Sequence, residues 1–161
     1  MLGKIRVVPE AVIDMVQAYP SPENAKEVQA FVGVLGFWRT FIAYLAQCLH
    51  PLCHLLKKGH VWDWESERQD AFEKAKILVK QIKALGISQA GLPFELDVSV
   101  TLEGMGQAWS QRQVLLGFWS QLWKGAETRY TPIEQQLLAL YTVFLQVKPL
   151  MKEQRIVIRT S

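Results

Sequence analysis

The chain has 161 residues, 50% of them hydrophobic, which is enough for one ordinary domain or two small ones. A formal net charge of +3 permits a nucleic-acid partner without requiring one, since basic and acidic residues interleave along the sequence. Two cysteines, Cys48 and Cys53, exclude the disulfide framework of a small secreted domain, and no apolar stretch is long enough to cross a bilayer, so we expect a reduced, intracellular protein with no membrane partner.

The first half of the sequence has the spacing of helices. In YPSPENAKEVQAFVGVLGFW, Ser21 followed by Pro and Glu predicts a helix start, and apolar residues then recur at helical intervals. Gly33 and Gly36 each weaken such a helix by up to about 1 kcal/mol relative to alanine. They therefore indicate a close approach to the backbone, or a bend that starts a second helix through Phe41 and Leu45.

Two more helices are predicted in this half. A short one lies in HPLCHLLKKG and ends at Gly59. After HVWDW, Ser66 and Gln69 form a predicted capping box for a long helix. The apolar stripe of that helix is Phe72, Ala75, Leu78, Val79 and Ile82. Up to about residue 85 we therefore expect helices alone.

Beyond this point the hydrophobic period changes. Three short segments, GLPFELDVSV, MGQAWSQRQ and VLLGFWSQ, have strand-like content and predict an antiparallel meander. TPIEQQLLALYTVFLQ predicts a helix capped by Thr131, with Pro132 at its first position and Glu134 closing a capping box, and QRIVIRTS predicts a last strand. A helical crossover would set this strand parallel to the first, with any site at their adjacent carboxyl ends.

Together these segments resemble a known family. Residues 27–76, EVQAFVGVLGFWRTFIAYLAQCLHPLCHLLKKGHVWDWESERQDAFEKAK, are similar to the thumb of reverse transcriptases from retroviruses and long-terminal-repeat retrotransposons. GLPFELDVSV, GMGQAWSQ, LLGFWSQLW and RYTPIEQQLLALY resemble the ribonuclease-H-like region that follows the thumb in endogenous gammaretrovirus-like Pol polyproteins. The resemblance implies an α+β fold, with a helical thumb-like domain over residues 1–86 and a truncated, connection-type β-β-β-α-β domain over 87–161. The cytoplasm, the nucleus and a viral particle all fit such a protein.

The resemblance also implies that the chain does not polymerise DNA by itself. It begins with a segment similar to the end of the palm, so we expect the palm and fingers, or other Pol domains, as partners. No Y-x-D-D motif occurs in the sequence. Nucleotidyl transfer in this family needs two metal ions, roughly 4 Å apart, held by carboxylates of the palm.

Ribonuclease H activity depends on three further carboxylates in this family, one each from the first strand, the crossover helix and the end of the fourth strand. Aligned by the resemblance, these positions are Ser99, Gln136 and Ser161, which are all neutral. We therefore expect either a non-catalytic connection module or a decayed nuclease, with no catalytic residue and no cofactor.

Asp97 is the carboxylate closest to the first of these positions. It shares the polar face of the strand with Ser99 but precedes it by about 6.6 Å, too far to replace a metal ligand. We therefore interpret Asp97 as a residue of the polar face or rim. The alternative is a residual nuclease that binds Mg²⁺ or Mn²⁺ at a shifted site through Asp97, Glu95 or Glu103.

The expected partner is an RNA/DNA or DNA duplex. By resemblance, the helix in FVGVLGFW lies along the minor groove of the primer–template, where a glycine permits close approach and an aromatic ring packs on sugars. Nearby cations would neutralise phosphates, and their contribution would fall with salt. The predicted nucleic-acid-binding residues are Gly33, Phe37, Trp38, Arg39, Lys57 and Lys58. The alternative is helix packing for the glycine and the aromatics and a solvated surface for the cations.

The segment CLHPLCH places Cys48, His50, Cys53 and His54 within seven residues, which raises a zinc hypothesis. The spacing differs from the usual C-x2-C and H-x3-H pairs, and Pro51 interrupts it. We therefore expect buried cysteine and surface histidine instead of a metal site.

A second class of function stays open, namely a structural or protein-interaction module of a larger or host-adopted Pol-derived protein. An unfinished sheet would leave an exposed edge strand, and such an edge can pair with another copy of the chain.

Overall fold

The computed structural model describes residues 5–149 and 155–160. The helices are α1 (Glu10–Gln17), α2 (Ala25–Phe37), α3 (Leu45–His54), α4 (Ser66–Lys80) and α5 (Pro132–Val147). The strands are β1 (Ile5–Arg6), β2 (Leu85–Gly86), β3 (Phe94–Val100), β4 (Gly104–Gln111), β5 (Val114–Leu122) and β6 (Ile156–Thr160). Short 3-10 turns cover Arg39–Phe41 and Gly125–Arg129. We call residues 5–86 the helical half.

The apolar faces of α1 to α4 pack around one core. Phe31 of α2 and Phe72 of α4 have ring centroids 4.7 Å apart, and Leu52 of α3 is fully buried beside them. The stripe predicted for α4 is confirmed for Phe72, Ala75, Leu78 and Val79, which are buried or partly buried against this core. Ile82 packs there too, but it lies beyond the end of the helix at Lys80. Among the described residues, no helix has the length and apolar character that a membrane span needs.

The predicted cap of α2 is wrong. Asn24, and not Ser21, precedes the helix with an extended backbone, and its side chain accepts a hydrogen bond from the backbone N–H of Glu27 at 3.0 Å. The hydroxyl of Ser21 instead donates to the side chain of Gln69 on α4 at 3.2 Å. The cap therefore falls where a side-chain oxygen stands three residues before a free N–H group.

The capping box predicted for α4 is also wrong. Ser66 is the first helical residue, and Glu65 precedes it without a side-chain cap. Gln69 accepts a hydrogen bond from the indole N–H of Trp64 at 2.7 Å, so a contact with the preceding aromatic segment replaces the expected local bond.

α2 continues through Gly33 and Gly36 as one helix, and α3 follows after Tyr44, whose φ of 55° is left-handed. The short helix predicted in HPLCHLLKKG is present in part as the end of α3, but its predicted end at Gly59 is wrong, since α3 begins at Leu45 and ends at His54. The carbonyls of the last turn of α3 accept tighter i+3 bonds, which turn the chain away before Gly59.

The expectation of helices alone before residue 85 is wrong at one place. Ile5 and Arg6 pair antiparallel with Gly86 and Leu85, and the Arg6 guanidinium donates to the carbonyl of Leu116 on β5. Strands of two residues show no hydrophobic period, and these two lie at opposite ends of the helical half.

The β-β-β-α-β order is confirmed. The described strands of the main sheet lie in the order β5-β4-β3-β6, with β3 antiparallel to β4 and parallel to β6. Leu96 stands opposite Trp109 on one side and Ile158 on the other. Within the described chain, β6 is therefore an edge strand.

The start of α5 is also confirmed. The Thr131 hydroxyl accepts from the Glu134 backbone N–H at 3.3 Å, while the Glu134 carboxylate accepts from the Thr131 N–H at 3.1 Å and Pro132 is the first helical residue. The hydrogen bonds from Thr131 lower the pKa of Glu134.

The sheet is covered on both faces. α5 packs on one face and forms a second core, whose buried residues are Leu96, Val98, Met105, Trp123, Ala139, Val143 and Val147. The other face contacts the start of α3, where the Ala46 N–H donates to the Ser120 hydroxyl at 3.0 Å and the Gln47 side chain donates to the Met105 carbonyl at 3.1 Å. The helical half is thereby joined to the sheet.

Candidate nucleic-acid interface and former nuclease positions

α2 presents an aromatic ring beside open backbone. Phe37 is 74% exposed, and Gly33 lies one turn earlier on the same side of the helix. A Cβ atom added at Gly33 would meet nothing within 4 Å in the described structure, and the same holds at Gly36. This stretch of α2 is therefore accessible to a partner surface.

Trp38 and Arg39 follow Phe37 at the carboxyl end of α2, where one packs against the helical core and the other is exposed. Trp38 is partly buried against the helical core, and its ring lies edge-on to Phe37 at 4.9 Å and to Phe41 at 6.0 Å. Arg39 is exposed and donates to the Gly36 carbonyl at 3.0 Å, so its charge sits at the carboxyl end of α2. Trp38 thus packs, while Phe37 and Arg39 face solvent.

A cluster of lysine and histidine side chains lies at the end of α3 and just after it, and the sequence did not predict these residues as a cluster. Lys57 and Lys58 are exposed, and the His54 ring lies 6.3 Å from that of His50 and 5.3 Å from that of His60. The positive charge of Lys57 contributes most to lowering the pKa of His54. The signal available in the sequence was the i, i+4 spacing of His50 and His54 just before the lysine pair.

Ser99 faces the helical half. The Tyr44 hydroxyl forms a hydrogen bond with the Ser99 hydroxyl. Gly106 stands opposite Ser99 on β4, and a Cβ atom added there would lie 2.6 Å from the Tyr44 ring. The Tyr44 side chain therefore covers the strand position at which the resemblance places the first nuclease carboxylate.

Two of the three positions that the resemblance aligns with nuclease carboxylates lie within the described residues, and they lie toward different faces of the sheet. Gln136 belongs to α5, which packs on the Leu96 and Val98 face of the sheet, whereas Ser99 points to the opposite face. Ser161 lies outside the described residues. Neither side chain is charged, so this pair does not supply the carboxylate ligands that a catalytic metal ion of this kind needs.

Asp97 is held in an ion pair across the parallel strands. Arg159 lies opposite it on β6 and donates from Nε to Oδ1 at 2.8 Å and from Nη2 to Oδ2 at 3.3 Å, with Glu95 at 3.4 Å from Nη2. The hydrogen bond from Arg159 lowers the pKa of Asp97. Glu103 is exposed in the turn between β3 and β4.

A cavity of about 420 Å³ separates this ion pair from the helical half. Tyr44, Ser99, Asp97 and Arg159 line it, together with Phe118. Because Asp97 is already paired and its pKa is lowered, it is a weak base for activating either hydroxyl.

The cysteine and histidine segment does not form a metal centre. Cys48 is buried and Cys53 half-buried, and burial raises the pKa of both thiols, which disfavours the thiolate that a metal would need. Across residues 5–149 and 155–160, no group of three or more His, Cys, Asp or Glu side chains is arranged to hold a metal ion.

A family model described as an RNase H-like domain found in reverse transcriptase matches residues 64–158. The chain belongs to this family of RNase H-like domains. The match starts just before α4 and continues into β6, so it includes the whole meander and α5.

The relatives of this RNase H-like domain are retroviral and retrotransposon Pol polyproteins. The chain is 31% identical over 129 residues to the retrovirus-related Pol polyprotein from transposon 297 of Drosophila melanogaster, a match that covers 80% of the chain and 12% of that protein. It is 35% identical over 86 residues to the Pol polyprotein of feline endogenous virus ECE1, covering 53% of the chain and 8% of that protein. The predicted resemblance is confirmed, and the chain spans only a small part of these relatives.

Solved structures of similar fold come from foamy virus. The foamy viral protease-reverse transcriptase dRH in complex with double-stranded DNA superposes with a TM-score of 0.83 at 20% identity, covering 95% of this chain and 28% of that one. The foamy viral protease-reverse transcriptase in complex with an RNA/DNA hybrid gives a TM-score of 0.81 at 20% identity, covering 95% of this chain and 21% of that one. These matches confirm the predicted α+β fold class.

Proposed function

We propose that this RNase H-like domain, with the thumb-like helical domain before it, is a non-catalytic part of a retroelement Pol protein that binds RNA/DNA or DNA duplex without sequence specificity. The observation that supports this most directly is the exposed Phe37 ring one turn from Gly33, with open space above the glycine. A buried residue would serve packing, whereas a large exposed aromatic beside bare backbone suits contact with the sugars of a groove.

The charges support the same proposal. Arg39 stands at the end of α2, and Lys57 and Lys58 follow α3 next to His54. Cations around an apolar contact can neutralise phosphates on either side of a groove without reading bases. The foamy viral proteins that share the fold were solved with double-stranded DNA and with an RNA/DNA hybrid, which supports a duplex as the partner.

We assign no catalytic activity to this chain. The aligned nuclease positions Ser99 and Gln136 are neutral and lie toward opposite faces of the sheet, and Asp97 is paired with Arg159. Polymerase activity would belong to the palm and fingers of a longer Pol protein, in whichever intracellular compartment or particle that protein acts.

Duplex binding is tested by fluorescence anisotropy with labelled RNA/DNA and DNA duplexes at low salt. Phe37→Ala should weaken binding about fivefold or more, since an aromatic contact with nucleic acid is worth about 1–3 kcal/mol. Gly33→Leu should weaken it similarly by filling the open space over α2. Ile77→Ala is the matched control, because Ile77 is a comparably exposed apolar residue on α4. Equal affinities for Phe37→Ala and Ile77→Ala would contradict the proposal.

The phosphate contacts have a separate readout in the salt dependence. Replacing both Lys57 and Lys58 by alanine should reduce the slope of log K against log salt by about 0.9 per lost phosphate contact. An unchanged slope would remove the two lysines from the interface while leaving the Phe37 result to stand alone.

Residual nuclease activity at a shifted site is the competing function. RNA–DNA hybrid incubated with Mg²⁺ or Mn²⁺ should stay intact with the wild-type chain. Cleavage that is lost in Asp97→Asn would instead establish Asp97 as a metal ligand.

A further inference from the structure

Three aromatic rings at the carboxyl end of α2 contact one another in a row. The centroid of the Phe37 ring lies 4.9 Å from that of Trp38 with the ring planes at 83°, and the Trp38 ring lies 6.0 Å from that of Phe41 at 65°. Both are edge-on pairs, a favourable arrangement of aromatic side chains. Phe41 is buried, Trp38 is partly buried and Phe37 is 74% exposed. The row therefore leads from the helical core to the ring that is assigned to duplex contact.

The end of α2 explains why these rings meet. Consecutive residues of a regular helix do not face each other, but Trp38 stands just past the last helical residue, with φ of −99° and ψ of 18°. A 3-10 turn follows, in which the Phe41 N–H donates to the Trp38 carbonyl at 3.0 Å. Side chains three residues apart eclipse in such a turn, so the Phe41 ring lies next to that of Trp38.

The inner end of the row is anchored. Phe41 is a buried member of the helical core. The guanidinium carbon of Arg6 lies over its ring, 5.8 Å from the centroid, and the same guanidinium donates to the Leu116 carbonyl on β5. A cation over the face of an aromatic ring is attracted to it. Trp38 therefore connects an anchored ring to an exposed one.

We propose that Trp38 is a positioning residue for duplex binding, which holds the Phe37 ring in the orientation that contacts the groove. This inference rests on the proposed function, in which Phe37 touches the duplex and Trp38 does not. An exposed aromatic side chain without such a neighbour occupies several rotamers, and restricting it to one on binding weakens the affinity. The edge-on contact with Trp38 makes this restriction before the duplex binds.

A double-mutant cycle measures this role by fluorescence anisotropy of the whole chain with a labelled DNA duplex at low salt. Trp38→Leu should weaken binding about two- to tenfold, which is the cost of ordering one flexible side chain. In a Phe37→Ala background the same change should alter the affinity less than about twofold, because no ring is left to orient. Trp38→Phe should recover most of the affinity, since a phenyl ring can keep the edge-on contact.

Trp64→Leu is the matched control. Trp64 is also partly buried against the helical core, but its ring pairs with those of Trp62 and Phe72. This variant should lose packing without losing duplex affinity. Circular dichroism checks that each variant is folded. If Trp38→Leu unfolds, Phe41→Leu takes its place in the cycle, because it removes the ring that anchors Trp38.

The salt dependence of binding separates Trp38 from its charged neighbour Arg39. Trp38→Leu should leave the slope of log K against log salt unchanged, because no phosphate contact is lost. A smaller slope would overturn the proposal, since it would mean that Trp38 acts by placing the charge of Arg39.

The remaining outcomes separate this proposal from the duplex contact itself. A loss of affinity that disappears in the Phe37→Ala background supports the positioning role. An equal loss in both backgrounds overturns it, and so does an equal loss for Trp64→Leu or for Trp38→Phe. Unchanged affinity in Trp38→Leu, where Phe37→Ala weakens binding, overturns the positioning role alone. If Phe37→Ala itself leaves the affinity unchanged, the contact proposed for α2 fails, and the positioning role fails with it.

Discussion

The contact between Tyr44 and Gly106 should determine how firmly the helical half is joined to the sheet. A Cβ atom at Gly106 would lie 2.6 Å from Cε1 and 3.0 Å from Cδ1 of the Tyr44 ring, and 3.3 Å from the Ser99 hydroxyl. The Tyr44 ring is rigid, the backbone of Tyr44 is left-handed, and its hydroxyl forms the hydrogen bond with the Ser99 hydroxyl. Gly106→Ala therefore forces the ring to move and breaks that bond.

The expected magnitude follows from these contacts. Overpacking of this kind costs about 1–3 kcal/mol, and the lost hydrogen bond adds about 1 kcal/mol. Gly117→Ala on β5 is the matched control, because its Cβ atom would meet Thr40 only at 3.5 and 3.8 Å, which is ordinary contact. That variant should be neutral or stabilised by up to about 1 kcal/mol, since alanine loses less backbone entropy on folding than glycine.

Urea denaturation of a double-mutant cycle isolates the cause. Gly106→Ala should lower the free energy of unfolding in the wild-type background and lose most of its effect in a Tyr44→Ala background, where the ring is absent. The coupling between the two changes should be at least about 1 kcal/mol. If Gly106→Ala lowers the free energy of unfolding equally in both backgrounds, the added methyl group does not clash with the Tyr44 ring. The contact between Tyr44 and Gly106 would then not determine how firmly the helical half is joined to the sheet.

Three further outcomes are expected. Duplex affinity, measured by anisotropy, should rise as pH falls below the ordinary titration range of histidine. The reason is that Lys57 lowers the pKa of His54, so His54 gains its positive charge only at lower pH, and His54→Gln should flatten the rise. Asp97→Asn should destabilise the fold slightly at neutral pH and not in strong acid, as measured by urea denaturation across pH. The hydrogen bond from Arg159 lowers the pKa of Asp97 in the folded state, so the ionised carboxylate stabilises the fold above the ordinary pKa of aspartate. This stabilisation is lost as the pH falls through the pKa that Asp97 has in the folded state. Gly104→Ala should cost at least about 3 kcal/mol in the same melts, because its Cβ atom would land on a backbone carbonyl oxygen of β5, and a smaller loss would mean that the strands can separate there at little cost.

The elements that the sequence predicted correctly depend on short-range chemistry. Thr131 and Glu134 are three residues apart, so the capping box of α5 is visible in the letters and present in the structure. The cap of α2 was also local, yet the prediction chose Ser21, and the extended backbone of Asn24 makes Asn24 the residue that caps the helix. The pairing of β1 with β2 joins residues too distant for any local pattern to reveal.

The candidate site was likewise predictable from the sequence only in part. The exposure of Phe37 and the open space at Gly33 agree with a face predicted from resemblance, but the same letters were compatible with helix packing. The histidine cluster beside Lys57 could be anticipated only in part, because His60 joins it through the turn that follows α3.

The amino-acid sequence alone determined the β-β-β-α-β order of the second half and the return of β6 parallel to β3, because these follow from local spacing and from the geometry of a helical crossover. It also determined that Ser99 and Gln136, which the resemblance aligns with nuclease carboxylates, are neutral. Tertiary structure decided that Ser99 lies under Tyr44 while Gln136 lies toward the other side of the sheet, and that Asp97 is neutralised by Arg159. Alternation along a strand defines two faces, but which face meets which neighbour depends on packing between segments far apart in the chain.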